Sequence, residues 1–113
     1  MTQDASASPY FGPEHRAFRE TVRRFVREEI APHATAWDEA ETFPRELYRK
    51  AAAAGLLGLG FAEEHGGFEA DAFMHVILSE ELAASGAGGV CASLMSHTIG
   101  APPIARFGSA ELQ

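Results

Sequence analysis

Apolar residues early in the chain fall at helical spacing. Phe18, Val22, Phe25, Val26 and Ile30 make one stripe, and charged side chains fill the other faces. Pro13 suits the first position of that helix, where its missing N–H leaves no bond unmade. Pro32 is expected to end it, because proline cannot donate and restricts the residue before it. A polar connector carrying Trp37 follows, until Thr42-Phe43-Pro44 sets up a second helix with Leu47, Tyr48 and Ala51 on its inner face. Gly55 is a natural exit from that helix, since it tolerates a left-handed backbone. Leu56 to Phe61 could be mistaken for a strand, but Gly55, Gly58 and Gly60 make it a poor one. Glu63-Glu64-His65-Gly66-Gly67 reads as a turn. Asp71 is a plausible N-cap for a third helix that carries Phe73, Val76, Ile77 and Ala84 inward. Gly86, Gly88 and Gly89 break it, and a fourth helix runs from about Gly89 to Thr98. Pro102 and Pro103 then predict a break and a short amphipathic turn closed by Gly108. Four amphipathic helices on short links predict an all-α, antiparallel helical bundle.

Ser109 is placed to cap a further helix, yet only four residues follow it. So short a helix does not stand alone in water, and the expectation is the first part of a longer protein. The length of 113 residues suits one domain. A net charge of -7, from 9 basic and 16 acidic side chains, argues against nucleic acid or an anionic membrane as main partner. The one basic cluster, Arg16 to Arg27, is interleaved with glutamates, as on a solvated helix face. Cys91 is the sole cysteine, which excludes an internal disulfide and fits a reducing compartment. No apolar run nears the roughly 20 residues that span a bilayer, so membrane insertion is not expected. Residues 1–10 read as a flexible leader without a signal pattern, on a cytoplasmic protein.

Candidate chemistry is sparse. The five histidines show no helical pairing and no carboxylate set at metal-site spacing, so no metal is expected. The glycines from Gly55 to Gly60 lack the order and the preceding strand of a dinucleotide fingerprint. Glu80 and Glu81 are adjacent, hence about 100° apart around a helix, and cannot converge as an acid and base pair. An inter-helix salt bridge or a solvated edge suits them better. The fourth helix stands apart: Cys91, Ala92, Met95, Ser96 and Ile99 fall on one apolar but short-chained face. Close packing on the third helix and a wall for an apolar ligand both fit that pattern.

The order of these elements resembles the N-terminal helical domain of the acyl-CoA dehydrogenase family, over about residues 10 to 113. Four stretches carry the resemblance: Arg16 through Pro32; Phe43-Pro44-Arg45-Glu46-Leu47 with Ala54-Gly55-Leu56-Leu57-Gly58; the Glu63 to Gly67 turn; and Ser79-Glu80-Glu81-Leu82-Ala83 with Ile104 to Gly108 and the terminal Glu111-Leu112-Gln113. Ala62 and His65 depart from the proline and tyrosine usual in that turn. The resemblance implies residues 11–113 as the helical domain of an FAD-dependent enzyme with a β domain and a second helical bundle beyond. FAD and the glutamate that removes the Cα proton would belong to those later parts, so no catalytic residue is assigned here. It implies that Cys91, Ala92, Met95, Ser96 and Ile99 line the distal acyl pocket, with Met95 as its gate. Acyl-CoA, electron-transfer flavoprotein or another acceptor, and a second copy in a dimer or tetramer are the implied partners. Relatives with monooxygenase or nitroalkane oxidase chemistry share the fold, and a stand-alone helical binding module is a reading of another class.

Overall fold

The computed structural model describes residues 10–113. The expected leader, apart from Tyr10, lies outside the described residues. Six α-helices follow one another: α1 (Pro13–Phe25), α2 (Ala34–Ala40), α3 (Glu46–Ala53), α4 (Ala72–Ala83), α5 (Gly88–Leu94) and α6 (His97–Phe107). Among the described residues there is no strand, and Leu59 and Phe68 form one isolated bridge. The chain is all-α, as its periodicity predicts.

The first stripe packs as expected, with Phe18, Val22, Phe25, Val26 and Ile30 all buried. Pro32 does not stop the chain from coiling. The helix widens into a π turn at Val26–Ile30, tightens into a 3₁₀ turn at Ala31–His33, and continues as α2. The wider turn gives the proline ring the room that an α-helical carbonyl four residues back would deny it. The expected connector is therefore a helix, helped by its three alanines and by Trp37 stacking on His33 at 4.9 Å. Glu41, at φ +56, ends it in the left-handed conformation usually left to glycine.

Local signals elsewhere hold. Gly55 leaves α3 at φ +83, and Gly66 closes the Glu63–His65 turn at φ +87. Asp71 Oδ1 accepts from the Met74 N–H at 2.9 Å, as an N-cap should. Side-chain faces depart more. In α3, Leu47 and Ala51 are buried, but Tyr48 turns outward and donates its hydroxyl to the Ser93 carbonyl at 3.3 Å. In α4 the inner face is Ile77, Leu78, Glu81 and Leu82, not Phe73, Val76 and Ala84. Phe73 packs instead beneath Tyr10 and Phe11, at ring distances of 5.6 and 5.8 Å. Because α4 is apolar almost all round, periodicity selects no face for it.

The α1 and α4 helices run side by side in the same direction. His15 meets Asp71 at their starts, at 2.7 Å, and Arg23 meets Glu81 further along, at 2.8 Å. They are not neighbours in sequence, so no short link forces them antiparallel. Val22, Ile30, Leu56, Ile77 and Leu94 form the driest part of the core. Each such side chain contributes about 1.5–3 kcal/mol when fully buried.

The expected fourth helix is two. Leu94 ends α5, Met95 and Ser96 form a joint, and α6 begins at His97. Pro102 and Pro103 lie inside α6 rather than breaking it. Their missing donors leave the Thr98 and Ile99 carbonyls without the usual partner four residues on. Ser109 does open a final turn, accepting from the Leu112 N–H at 3.2 Å.

Candidate functional site

Burial fixes how α5 faces. Val90 and Leu94 point into the core, so the opposite side of this short helix points out. Cys91 and Met95 sit on the shoulders, half-buried against the core cluster. The Cys91 thiol donates to the Leu82 carbonyl at 3.4 Å and lies 3.6 Å from Ser85 Oγ, which makes it a packed thiol tied to the end of α4. Ala92, Ser96 and Ile99 are exposed, Ile99 to 81%. The joint between α5 and α6 is satisfied locally: Ser96 Oγ donates to the Ser93 carbonyl at 2.9 Å, and Thr98 Oγ to the Met95 carbonyl at 2.6 Å.

The five expected lining residues therefore form two short surfaces meeting at the joint. Cys91 on α5 and Met95 just past its end lie one turn apart, while Ile99 stands on α6 beyond the bend. Two clefts flank this region. A groove of about 1020 Å³ lies among Trp37, Phe43, Tyr48, Val90 and Ser93, and a cleft of about 840 Å³ lies among Phe61, His65, His75, Thr98 and Ala101. Neither is lined by Cys91, Ala92, Met95, Ser96 or Ile99. The aromatic groove was within reach of sequence, because Trp37, Phe43 and Tyr48 are closely spaced. The cleft under α6 was not, since it depends on how α6 folds over the Leu56–Gly67 loop.

The charged groups are committed to structure. Glu81 is buried, and its carboxylate accepts from Arg19 Nη1 and Arg23 Nη2, both at 2.8 Å. Burial pushes its carboxyl up. The hydrogen bonds and charges of Arg23 and Arg19 outweigh that and hold it below the usual range. Glu80, mostly exposed, accepts from the same Arg19 at 3.0 Å. The pair is the inter-helix bridge that its spacing suggested. A carboxylate so clamped is a poor proton acceptor near neutral pH. His15 Nε2–H donates to Asp71 Oδ2 at 2.7 Å, while Nδ1 accepts from the Gly12 N–H at 2.8 Å. Both His15 nitrogens are thereby used. Among the described residues no group of three His, Cys, Asp or Glu stands ready for a metal, and no helix is long and apolar enough to cross a membrane.

The profile of the acyl-CoA dehydrogenase N-terminal domain matches residues 12–113. The chain belongs to the acyl-CoA dehydrogenase family. It is 45% identical over 101 residues to the mitochondrial long-chain specific acyl-CoA dehydrogenase of Sus scrofa, covering 89% of this chain and 23% of that protein. A crystal structure described as a probable acyl-CoA dehydrogenase from Mycobacterium abscessus superposes with a TM-score of 0.82 at 43% identity, covering 89% of this chain and 27% of that one. A second, of an acyl-CoA dehydrogenase-type protein from Mycobacterium smegmatis, gives a TM-score of 0.84 at 43% identity over 93% of this chain and 28% of that one. The chain spans about a quarter of the length of these relatives.

Proposed function

We propose that this chain is the N-terminal helical part of an FAD-dependent acyl-CoA dehydrogenase that desaturates an acyl-CoA thioester between Cα and Cβ. In this reading α5 and the start of α6 supply one wall of the acyl pocket, through Cys91, Ala92, Met95, Ser96 and Ile99. One observation carries it: on a domain of this family, the outer side of α5 and α6 offers short side chains and an isoleucine left 81% exposed. Such a surface gains free energy when an acyl tail or another part of the protein covers it.

The glycine-rich stretch of residues 55–60 offers no seat for a pyrophosphate: a Cβ on Gly58 would lie 2.9 Å from Gly67 Cα, and one on Gly60 would lie 2.9 Å from His75 Nε2, so this space is taken up by the chain itself. FAD and the catalytic base belong, on this reading, to other parts of the protein. The contribution of this chain is to bind the tail, exclude water from it and limit its length. Each buried methylene is worth about 0.8 kcal/mol. A side chain that blocks two of them shifts preference by roughly tenfold. Met95, half-buried beside the joint, would be that gate. The partners that follow are acyl-CoA, an electron acceptor such as electron-transfer flavoprotein, and further copies of the chain in a dimer or tetramer; the compartment is cytoplasmic.

The full-length protein should show flavin absorbance that bleaches on adding an acyl-CoA; bleaching by a nitroalkane instead would move the chemistry to an oxidase. Met95→Ala should raise kcat/KM for longer or branched acyl chains relative to short ones by up to about tenfold. An unchanged ranking across a chain-length series removes Met95, and with it this wall, from the account.

A further inference from the structure

We propose that His97 is the positioning residue of the α5–α6 joint, and that its tie to the Leu57 carbonyl sets which acyl chain lengths the wall admits. This rests on the acyl-wall reading above. The imidazole Nε2–H of His97 donates to the Leu57 carbonyl at 2.8 Å, across forty positions of sequence. The other bonds at the joint, from Ser96 Oγ and Thr98 Oγ, stay within it. They shape the bend without fixing α6 to the rest of the fold. Among the described residues no other α6 side chain hydrogen-bonds to a residue before Met95. Apolar packing does little to replace it, for α6 has no buried residue, and Ile99 and Phe107 are 81% and 80% exposed.

The acceptor is on firm ground. Leu57 lies between Leu56, which is 1% exposed, and the Gly58–Phe68 pairing, where the Phe68 N–H reaches the Gly58 carbonyl at 3.1 Å. The Gly60 N–H returns to the Phe68 carbonyl at 2.9 Å, and the approach of Gly58 to Gly67 leaves no room for slippage. Met95 lies two residues before His97 and Ile99 two residues after. The bend between them is shaped locally, and the anchor at His97 sets where the Ile99 side of the wall stands relative to the core on which Met95 leans. An imidazole donates from Nε2 whether neutral in this tautomer or protonated. The tie does not depend on the charge of the ring.

The test is a chain-length series of acyl-CoA substrates on the full-length enzyme carrying His97→Ala, His97→Gln, His97→Asn or Met95→Ala. Glutamine can reach Leu57 with its terminal N–H₂, whereas asparagine is one methylene short. His97→Ala and His97→Asn should change the ratio of kcat/KM between long and short chains by about two- to tenfold, the worth of one hydrogen bond. The change should lie in KM, with kcat on the shortest chain kept within about twofold, and His97→Gln should restore the wild-type ratio. If alanine does not yield folded enzyme, glutamine against asparagine decides alone. Wild-type ratios in His97→Asn, or altered ratios in His97→Gln, overturn the role of His97 when Met95→Ala does shift the ranking. A flat ranking in Met95→Ala takes down the wall reading, and the positioning role falls with it.

Discussion

Replacing Glu81 with glutamine should loosen the α1–α4 pair far more than the same change at its neighbour Glu80. The Glu81 carboxylate takes three hydrogen bonds, at 2.8 Å from Arg19 Nη1, 2.8 Å from Arg23 Nη2 and 3.3 Å from Arg23 Nε. Losing one partner of a buried ion pair costs about 3–5 kcal/mol. Two features reduce that figure here. The Arg23 side chain is 41% exposed and rehydrates when released, and glutamine keeps one acceptor oxygen. About 2 kcal/mol remains, which is roughly a 30-fold change in an equilibrium. Arg19 offers less relief, because its Nε is already buried without a partner. Glu80, with a side chain 54% exposed and one bond to Arg19, should cost less than about 1 kcal/mol. Amide hydrogen exchange in α1 and α4, followed by mass spectrometry, reads both directly. The Glu81→Gln protein should exchange there about 30-fold faster, and Glu80→Gln less than about fivefold faster. The pH dependence has a definite sign. The folded-state carboxyl of Glu81 titrates below its ordinary value of 4.5, so its stabilisation is complete above that value and is lost as pH falls through the lower folded value. The gap between wild type and Glu81→Gln should therefore shrink on acidification. Equal effects at Glu80 and Glu81, or a gap that widens toward acid, would refute this reasoning.

Two further outcomes follow from the Leu56–Gly67 loop and the α4 cap. Gly67→Ala would place a Cβ 2.5 Å from the Phe61 carbonyl oxygen and should lower Tm by roughly 10 °C, whereas Gly66→Ala meets open space and bears only the strain of φ +87, about 1 kcal/mol. Calorimetry that ranks Gly66→Ala as the worse substitution would contradict the close approach of these two segments. The hydrogen bond from His15, and then that from the Met74 N–H, hold the Asp71 carboxyl below its usual range. Asp71→Asn should accordingly speed exchange of the Met74 amide at neutral pH, and the difference from wild type should fade as pH drops through the carboxylate range.

What could be read from sequence was what local chemistry decides. The α1 stripe, the glycine exit at Gly55, the Asp71 cap and the Gly66 turn each depend on residues within a turn or two. Faces and breaks depended on more. Two prolines rules failed: Pro32 is absorbed by a π turn, and Pro102 and Pro103 sit within α6, because neighbouring backbone adjusts around them. Tyr48 looked inward on periodicity, but its hydroxyl finds the Ser93 carbonyl at the surface instead. The partners of Glu81 lie 58 and 62 residues away, beyond any local pattern. The proposed wall residues came from helical spacing together with family correspondence, and the bend that divides them at Met95 and Ser96 has no glycine or proline to announce it.

On the proposed reading the same short helix would have two unrelated duties, core packing on one side and the acyl wall on the other. Val90 and Leu94 close the core from α5, so their truncation would cost what core cavities cost, about 2–5 kcal/mol for leucine to alanine. Ala92 and Ser96, less than a turn away from these, touch little and contribute almost nothing to that core. The ion pairs that cross-link α1 and α4, through Arg19, Arg23, Glu80 and Glu81, involve no residue of α5. Substitution of the exposed Ala92 or Ile99 should accordingly cost little in folding. Met95 and Cys91 lean on the core as well, so substitutions there should also lower stability, and the substrate ranking of Met95→Ala is to be read beside its Tm.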